Sequence, residues 1–182
     1  MSNTTQTNAG QSATPGATAI TPIKGFLILA GIVVAIGVFL VLNHLLGITE
    51  VWVAFLFLLY WAGIDHANMQ TLPNCIVGAA LGLLLAYALQ QLPLSMGNAA
   101  GFSVFLGVIL AVVYCQIMGW LLLAVNMATM LFLTVGTVPL IQASFNFSGA
   151  LSALAAGATY FAGLVWVGQW LQRRQTVAAK VQ

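Results

Sequence analysis

The sequence predicts an all-α polytopic membrane protein, a helical bundle of six spans arranged as a 3+3 inverted-topology repeat. Three observations carry this reading. Of the 182 residues, 62% are hydrophobic and only 3% charged, against about 25% charged in soluble domains. The apolar residues fall in long runs without strict alternation, and inside a bilayer such runs satisfy their backbone as helices. The cations sit at the two ends: Lys24 before the first run, and Arg173, Arg174 and Lys180 after the last. Cytoplasmic flanks are enriched in Lys and Arg. Both termini therefore read as cytoplasmic, in a cell inner membrane, and the number of spans is even.

Residues 1–22 hold no charge and are rich in Ser, Thr, Asn, Gln, Ala, Gly and Pro. Such a segment cannot bury enough surface to offset ordering entropy, so a disordered cytoplasmic tail is expected. The transmembrane domain is placed at 23–172 and a basic cytoplasmic tail at 173–182. The first span runs from about Gly25 to Leu46, long enough for a 30 Å core, with Asn43 and His44 near its outer end. Glu50 opens a short second span, 51–64. A polar break follows at 65–74. A third span covers about 74–92, with Thr71 and Asn74 as candidate caps and Pro73 near the start. A loop is expected at 91–100. The fourth span runs 101–118. The fifth, 128–141, is again short and contains Gly136 and Pro139. A second polar break covers 142–148, and a sixth span runs 149–171 to Arg173 and Arg174.

Small residues recur at four-residue spacing: Gly78, Gly82 and Ala86 in the third span, and Gly149, Ala153 and Gly157 in the sixth. Such faces let membrane helices approach closely; packing within the subunit is their first expected use, and a contact between subunits the other. Trp52, Trp120, Trp166 and Trp170 fall near predicted span ends, as interface aromatics do.

Shifting the chain by about 75 residues superposes similar residues. Gly25-Phe26 meets Gly101-Phe102, Gly31 meets Gly107 and Ala35 meets Ala111. Leu56-Phe57-Leu58 meets Leu131-Phe132-Leu133, Gly82 meets Gly157, and Gly78 meets Ala153. Each unit would hold three spans, an odd number, so the second enters from the opposite side. Short or interrupted spans at matching positions of two such halves point to a midplane binding site.

The aromatic-small pair and polar break Tyr60-Trp61-Ala62-Gly63 with 65–74, the third span with Val77-Gly78 and Gly82, and the run from Gly101-Phe102 through Gln116 give the chain a family likeness. Over about residues 25–170 it resembles the small bacterial inner-membrane proteins grouped as domain of unknown function 1097. The resemblance implies a small multi-span inner-membrane protein and carries over no catalytic residue. The family favours Gly- and Cys-rich breaks, where this chain has Asp-His-Ala-Asn-Met-Gln.

The candidate substrate-binding residues are Asp65, His66, Asn68, Gln70, Thr71 and Asn74 in one break, Gln142, Asn146 and Ser148 in the other, and Gln116 and Asn126 within apolar sequence. An acid inside a bilayer costs about 3 kcal/mol and usually marks a solute or proton path; at the surface Asp65 would be an idle solvated group. His66 is read either as a proton relay, a role histidine side chains serve, or as a hydrogen-bonded structural residue. The amides and hydroxyls suit a small polar solute, or equally the broken backbone at helix ends. Gln116 and Asn126 are read first as interhelical hydrogen-bonding groups. A metal site from Asp65, His66 and Cys75 lacks a fourth ligand. Cys75 and Cys115 give no disulfide framework.

The function expected is a channel or transporter for a small polar solute, its site between the 65–74 and 142–148 breaks. The alternative is a non-transporting membrane subunit or scaffold. An enzyme is not expected, since Gly-x-Ser-x-Gly, His-Glu-x-x-His and paired catalytic carboxylates are absent. No cofactor, metal or nucleic acid is expected. The partners are the lipid bilayer, the solute and a second copy of the chain in a homo-oligomer.

Overall fold

The computed structural model describes residues 22–179, and all regular structure among them is helical. In order these are α1 (Pro22–Leu45), α2 (Val51–Gly63), α3 (Leu72–Met96), α4 (Asn98–Ile117), α5 (Met127–Gly136), α6 (Pro139–Gln142) and α7 (Phe147–Ala179). Four stretches are long and apolar enough to cross a membrane: Gly25–Leu45, Leu72–Met96, Asn98–Ile117 and Phe147–Leu171. The helices α2 and α5 are apolar but shorter, with 13 and 10 residues. Residues 1–21 and 180–182, including most of the expected N-terminal tail and Lys180, lie outside the described residues.

The chain divides into two units, residues 1–37 and 38–182. The described part of the first is the opening of α1, whose Ile23, Phe26, Leu27, Ile32, Val33 and Val34 all face outward. Large apolar side chains displayed this way suit a lipid environment. The second unit holds the other helices and the whole buried core.

Three boundaries differ from the sequence reading. The loop expected at 91–100 is helical except for one residue: α3 continues through Pro93 to Met96, and α4 begins at Asn98. Gly97 alone turns the chain, at a φ of +83° that glycine adopts without strain. A Cβ at Gly101 would lie 2.5 Å from the Pro93 nitrogen, so Gly101 lets α4 fold back directly onto α3. The fifth span, expected to reach 141, stops at Gly136. Val138 is extended ahead of Pro139 (φ −61°, ψ 130°), the conformation a following proline favours. Finally, α7 passes through Arg173 and Arg174 to Ala179, so the boundary drawn at 173 falls inside a helix. The Arg174 guanidinium lies 3.7 Å above the Trp170 ring.

The core forms where the two short helices pack against long ones. Glu50, just before α2, approaches Gly149, and Ala54 in α2 approaches Gly157, so α2 runs alongside α7 in the same direction. In α5, Thr129 and Phe132 approach Gly82 while Gly136 approaches Ala86, so α5 runs alongside α3. Tyr60, late in α2, and Met127, at the start of α5, line one open cavity of about 270 Å³, while Phe147 stacks on Tyr87 with centroids 5.0 Å apart. The two pairs are therefore opposed.

The small-residue faces serve this packing. A Cβ at Gly82 would come within 2.6 Å of the Phe132 Cβ and 2.7 Å of the Thr129 carbonyl, and one at Gly157 within 2.6 Å of the Ala54 Cβ. The buried positions also repeat at a constant offset of 75. Val53, Ala54, Phe57 and Trp61 are buried in α2, and Ala128, Thr129, Phe132 and Gly136 in α5. Cys75, Gly78, Ala79, Gly82, Leu83 and Ala86 are buried in α3, and Ala150, Ala153, Leu154, Gly157, Ala158 and Phe161 in α7.

Gly82→Ala and Gly157→Ala are expected to destabilise the protein by about 1–3 kcal/mol each, the usual cost of overpacking a tight contact. Gly107→Ala and Gly163→Ala, where a Cβ meets nothing within 4 Å, should leave stability unchanged or slightly raised. Thermal unfolding in detergent compares the four.

Candidate functional site

Polar groups gather at two levels of the bundle. The first lies where α2 ends and α3 and α5 begin. Asp65 is half-buried just past α2, and its N–H donates to the Tyr60 carbonyl at 3.2 Å. His66 and Ala67 adopt left-handed φ values of 52° and 53° and reverse the chain, leaving the His66 side chain exposed. Trp61, fully buried, donates its Nε1–H to the Asn68 carbonyl at 2.9 Å and pins this turn to the core. Asn68 Oδ1 accepts the Gln70 N–H at 2.9 Å, and Thr71 Oγ1 donates to the Asn68 carbonyl at 3.0 Å. These groups bind their own turn. The caps expected from Thr71 and Asn74 are not made: Thr71 stands at the N-cap of α3 without a side-chain cap bond, and Asn74 lies within the helix. The Thr71 hydroxyl is already committed to Asn68.

Asn126 is the hub of this level. Its Oδ1 accepts the N–H groups of Ala128 (3.0 Å) and Thr129 (3.3 Å), and Thr129 Oγ1 accepts the Asn126 N–H at 3.3 Å. This reciprocal capping box satisfies donors that the start of α5 would otherwise leave open. Its Nδ2 donates to the Asn74 carbonyl at 2.7 Å and the Leu123 carbonyl at 3.3 Å. Gly78 makes room, since a Cβ there would overlap the Asn126 amide. Gln116, half-buried near the end of α4, has no side-chain bond to any other candidate.

The second level lies where α5 ends and α2 and α7 begin. Gln142 donates Nε2–H to the carbonyls of Gly136 (2.6 Å) and Ala86 (3.0 Å), tying the end of α5 to the middle of α3. Asn146 Oδ1 accepts the Ser148 hydroxyl at 2.8 Å and the Gly149 N–H at 3.3 Å. Asn146, Ser148, Gly149 and Ser152 face Gly47, Ile48 and Thr49 across an open cavity of about 490 Å³.

Two residues beside this cavity were not among the sequence candidates. Glu50, the N-cap residue of α2, is buried to 9% exposure and accepts the Trp52 Nε1–H at 2.7 Å. Asn43 is 1% exposed. Its Nδ2 donates to the Phe39 carbonyl at 2.8 Å, and its Oδ1 has no hydrogen-bond partner. The backbone carbonyl of Asn43 accepts the Ile48 N–H at 3.0 Å, which closes the turn from α1 into α2. A signal for Glu50 existed in the sequence: an offset of 76 places it on Asn126.

The two breaks do not meet. Asn74 marks the first level on α3 and Ala86 the second, about 18 Å apart at the helical rise. The structure thus separates Asp65, His66, Asn68, Gln70, Thr71, Asn74 and Asn126 from Gln142, Asn146 and Ser148. A site between the breaks would span the length of a short helix, because α2 itself connects the two levels. Among the described residues no group of three or more His, Cys, Asp or Glu side chains could hold a metal ion.

No family model, curated protein or solved structure matches the chain. The fold and the two polar levels define an all-helical protein with several helices apolar enough for a membrane.

Gln142→Leu removes the donor to the Gly136 carbonyl at the end of α5 and to the Ala86 carbonyl on α3. Leaving buried carbonyls short of a partner costs about 1–3 kcal/mol, and thermal unfolding in detergent is expected to show a loss of that order. Gln70→Leu, whose side chain is exposed, should be near neutral.

Proposed function

We propose that the chain is an inner-membrane channel or transporter for a small polar solute. It would cross six times as a 3+3 inverted repeat, with both ends cytoplasmic. The observation that carries this reading is the burial pattern at an offset of 75. Ten buried positions of α2 and α3 recur as ten buried positions of α5 and α7. The contacts recur with the halves exchanged: Gly82 of α3 lies on Thr129 of α5, and Gly157 of α7 on Ala54 of α2. Each half holds three principal helices, and the α2–α7 pair runs opposed to the α3–α5 pair. Inverted repeats with short second helices are a transporter plan. A scaffold has no need of two interlocked halves.

Within that plan the cavity beside Glu50 replaces the expected site between the breaks. It is flanked by polar side chains of Thr49, Asn146, Ser148 and Ser152. A nearly buried acid inside an apolar bundle is costly unless it serves a path, and Glu50 meets that description better than half-buried Asp65. Arg173 and Arg174 on the last long helix favour a cytoplasmic C-terminus.

Flux into proteoliposomes tests the reading with a panel of small neutral amides, short organic acids and amines. Glu50→Gln and Asn146→Leu should each reduce uptake of the transported member by tenfold or so, on the order of a lost charge-assisted or neutral hydrogen bond, while Gln70→Ala leaves it unchanged. If both cavity variants carry every solute at the native rate, the cavity is not the site. If the native protein moves none and copurifies with one stoichiometric partner, the scaffold reading replaces transport.

A further inference from the structure

The two levels of the bundle correspond at the 75-residue offset, yet they are built differently. At one level Ile48 and Gly149 face each other across the cavity. Their counterparts at the other level are Leu123 and Asn74. There the gap is bridged, because Asn126 Nδ2 donates to both carbonyls, Leu123 at 3.3 Å and Asn74 at 2.7 Å. The residue matching Asn126 at an offset of 76 is Glu50. Instead of bridging, it accepts from Trp52 on its own helix at 2.7 Å.

The neighbouring residues explain the difference. Asn126 inserts over Gly78, where a Cβ would overlap its amide. The counterpart of Gly78 is Ala153, whose methyl occupies that place on α7. The Glu50 carboxylate also has no N–H to donate, so it can accept from Trp52 but cannot bridge two carbonyls. One level is therefore supplied with a bridge and the other is not.

We infer that Asn126 is a gate latch: it holds the bundle shut around Leu123 and Asn74 while the Glu50 level stands open, and its release opens the first level as the second closes. This rests on the inverted-repeat reading, in which each half can adopt the other's arrangement. The latch sets which arrangement rests more populated. It is made of two hydrogen bonds between one side chain and two carbonyls, so its loss moves the equilibrium without dismantling the core.

Cysteine accessibility reads the two arrangements. In a Cys75→Ala, Cys115→Ala background, Ala155→Cys places a thiol on the open cavity, and Ala80→Cys places one at the matching position of the closed level. A membrane-impermeant maleimide is applied from each side of proteoliposomes holding the full chain. In the native latch background, Ala155→Cys is expected to label at least tenfold faster than Ala80→Cys. Asn126→Asp keeps the oxygen that caps α5 but loses the bridging N–H groups. It should shift the ratio of the two rates about tenfold toward Ala80→Cys, the scale of one lost hydrogen bond. Asn126→Ser, which also retains a capping oxygen, repeats the test should the aspartate variant fail to fold.

Equal labelling in the native background, or a ratio unmoved by both latch variants, would overturn the inference. Solute flux on the same vesicles separates it from the transport reading. Labelling that shifts with no flux keeps the latch and removes transport. Flux with an unmoved ratio keeps transport and removes the latch.

Discussion

Two short helices begin and end inside an apolar bundle, and their backbone must find partners there. That constraint accounts for most of the polar side chains. A helix leaves four N–H groups and four carbonyls unpaired at its ends, and surroundings without water make each of them expensive. Asn126 meets the donors at the start of α5, and Gln142 meets a carbonyl at its end. Trp61 and Thr71 bind the Asn68 carbonyl in the turn that follows α2. Polar residues in so apolar a chain are thus committed largely to helix termini. Glu50 and Asn43 stand out: the Glu50 side chain makes no cap bond, and the Asn43 Oδ1 has no hydrogen-bond partner.

Close approach of the backbones is the second requirement. Helices this apolar on every side are held by van der Waals packing of closely approaching faces. Glycines at 82 and 157 let α5 and α2 lie directly against α3 and α7. Bulky side chains then fill what remains: Phe57 and Phe132, 75 residues apart, are both fully buried. Phe39 joins the outer part of α1 to the same core, with ring centroids 4.9 Å from Phe161 and 5.2 Å from Tyr160.

Much of this was legible in the sequence. Composition gave the helical class, and run length marked α2 and α5 as short. The glycine spacing identified the packing faces, and the matches of Gly82 with Gly157 and Leu56-Phe57-Leu58 with Leu131-Phe132-Leu133 fall on the observed offset. The partners of the polar breaks were not legible. Patches matched in the sequence alignment were expected to converge, but the opposed α2–α7 and α3–α5 pairs put them at opposite ends of the short helices. Each break instead meets the turn that opens a short helix distant in sequence, 65–74 at the start of α5 and 142–148 at the start of α2, a pairing only the packing of the helices reveals. Pro93 misled for a related reason: a proline in an apolar helix near its end is tolerated when neighbouring helices and local adjustment re-satisfy the freed carbonyl, and so no loop was needed there.

The acceptor that Asn126 reaches on α3 is a main-chain oxygen, not the amide of Asn74, whose own side chain is exposed. A main-chain acceptor is common to every amino acid. Position 74 can therefore drift in sequence without consequence for the bridge, while the information that specifies it resides in an asparagine and a glycine 48 positions apart, Gly78 and Asn126. Among diverged copies of this protein, those two positions should change together and position 74 independently of both.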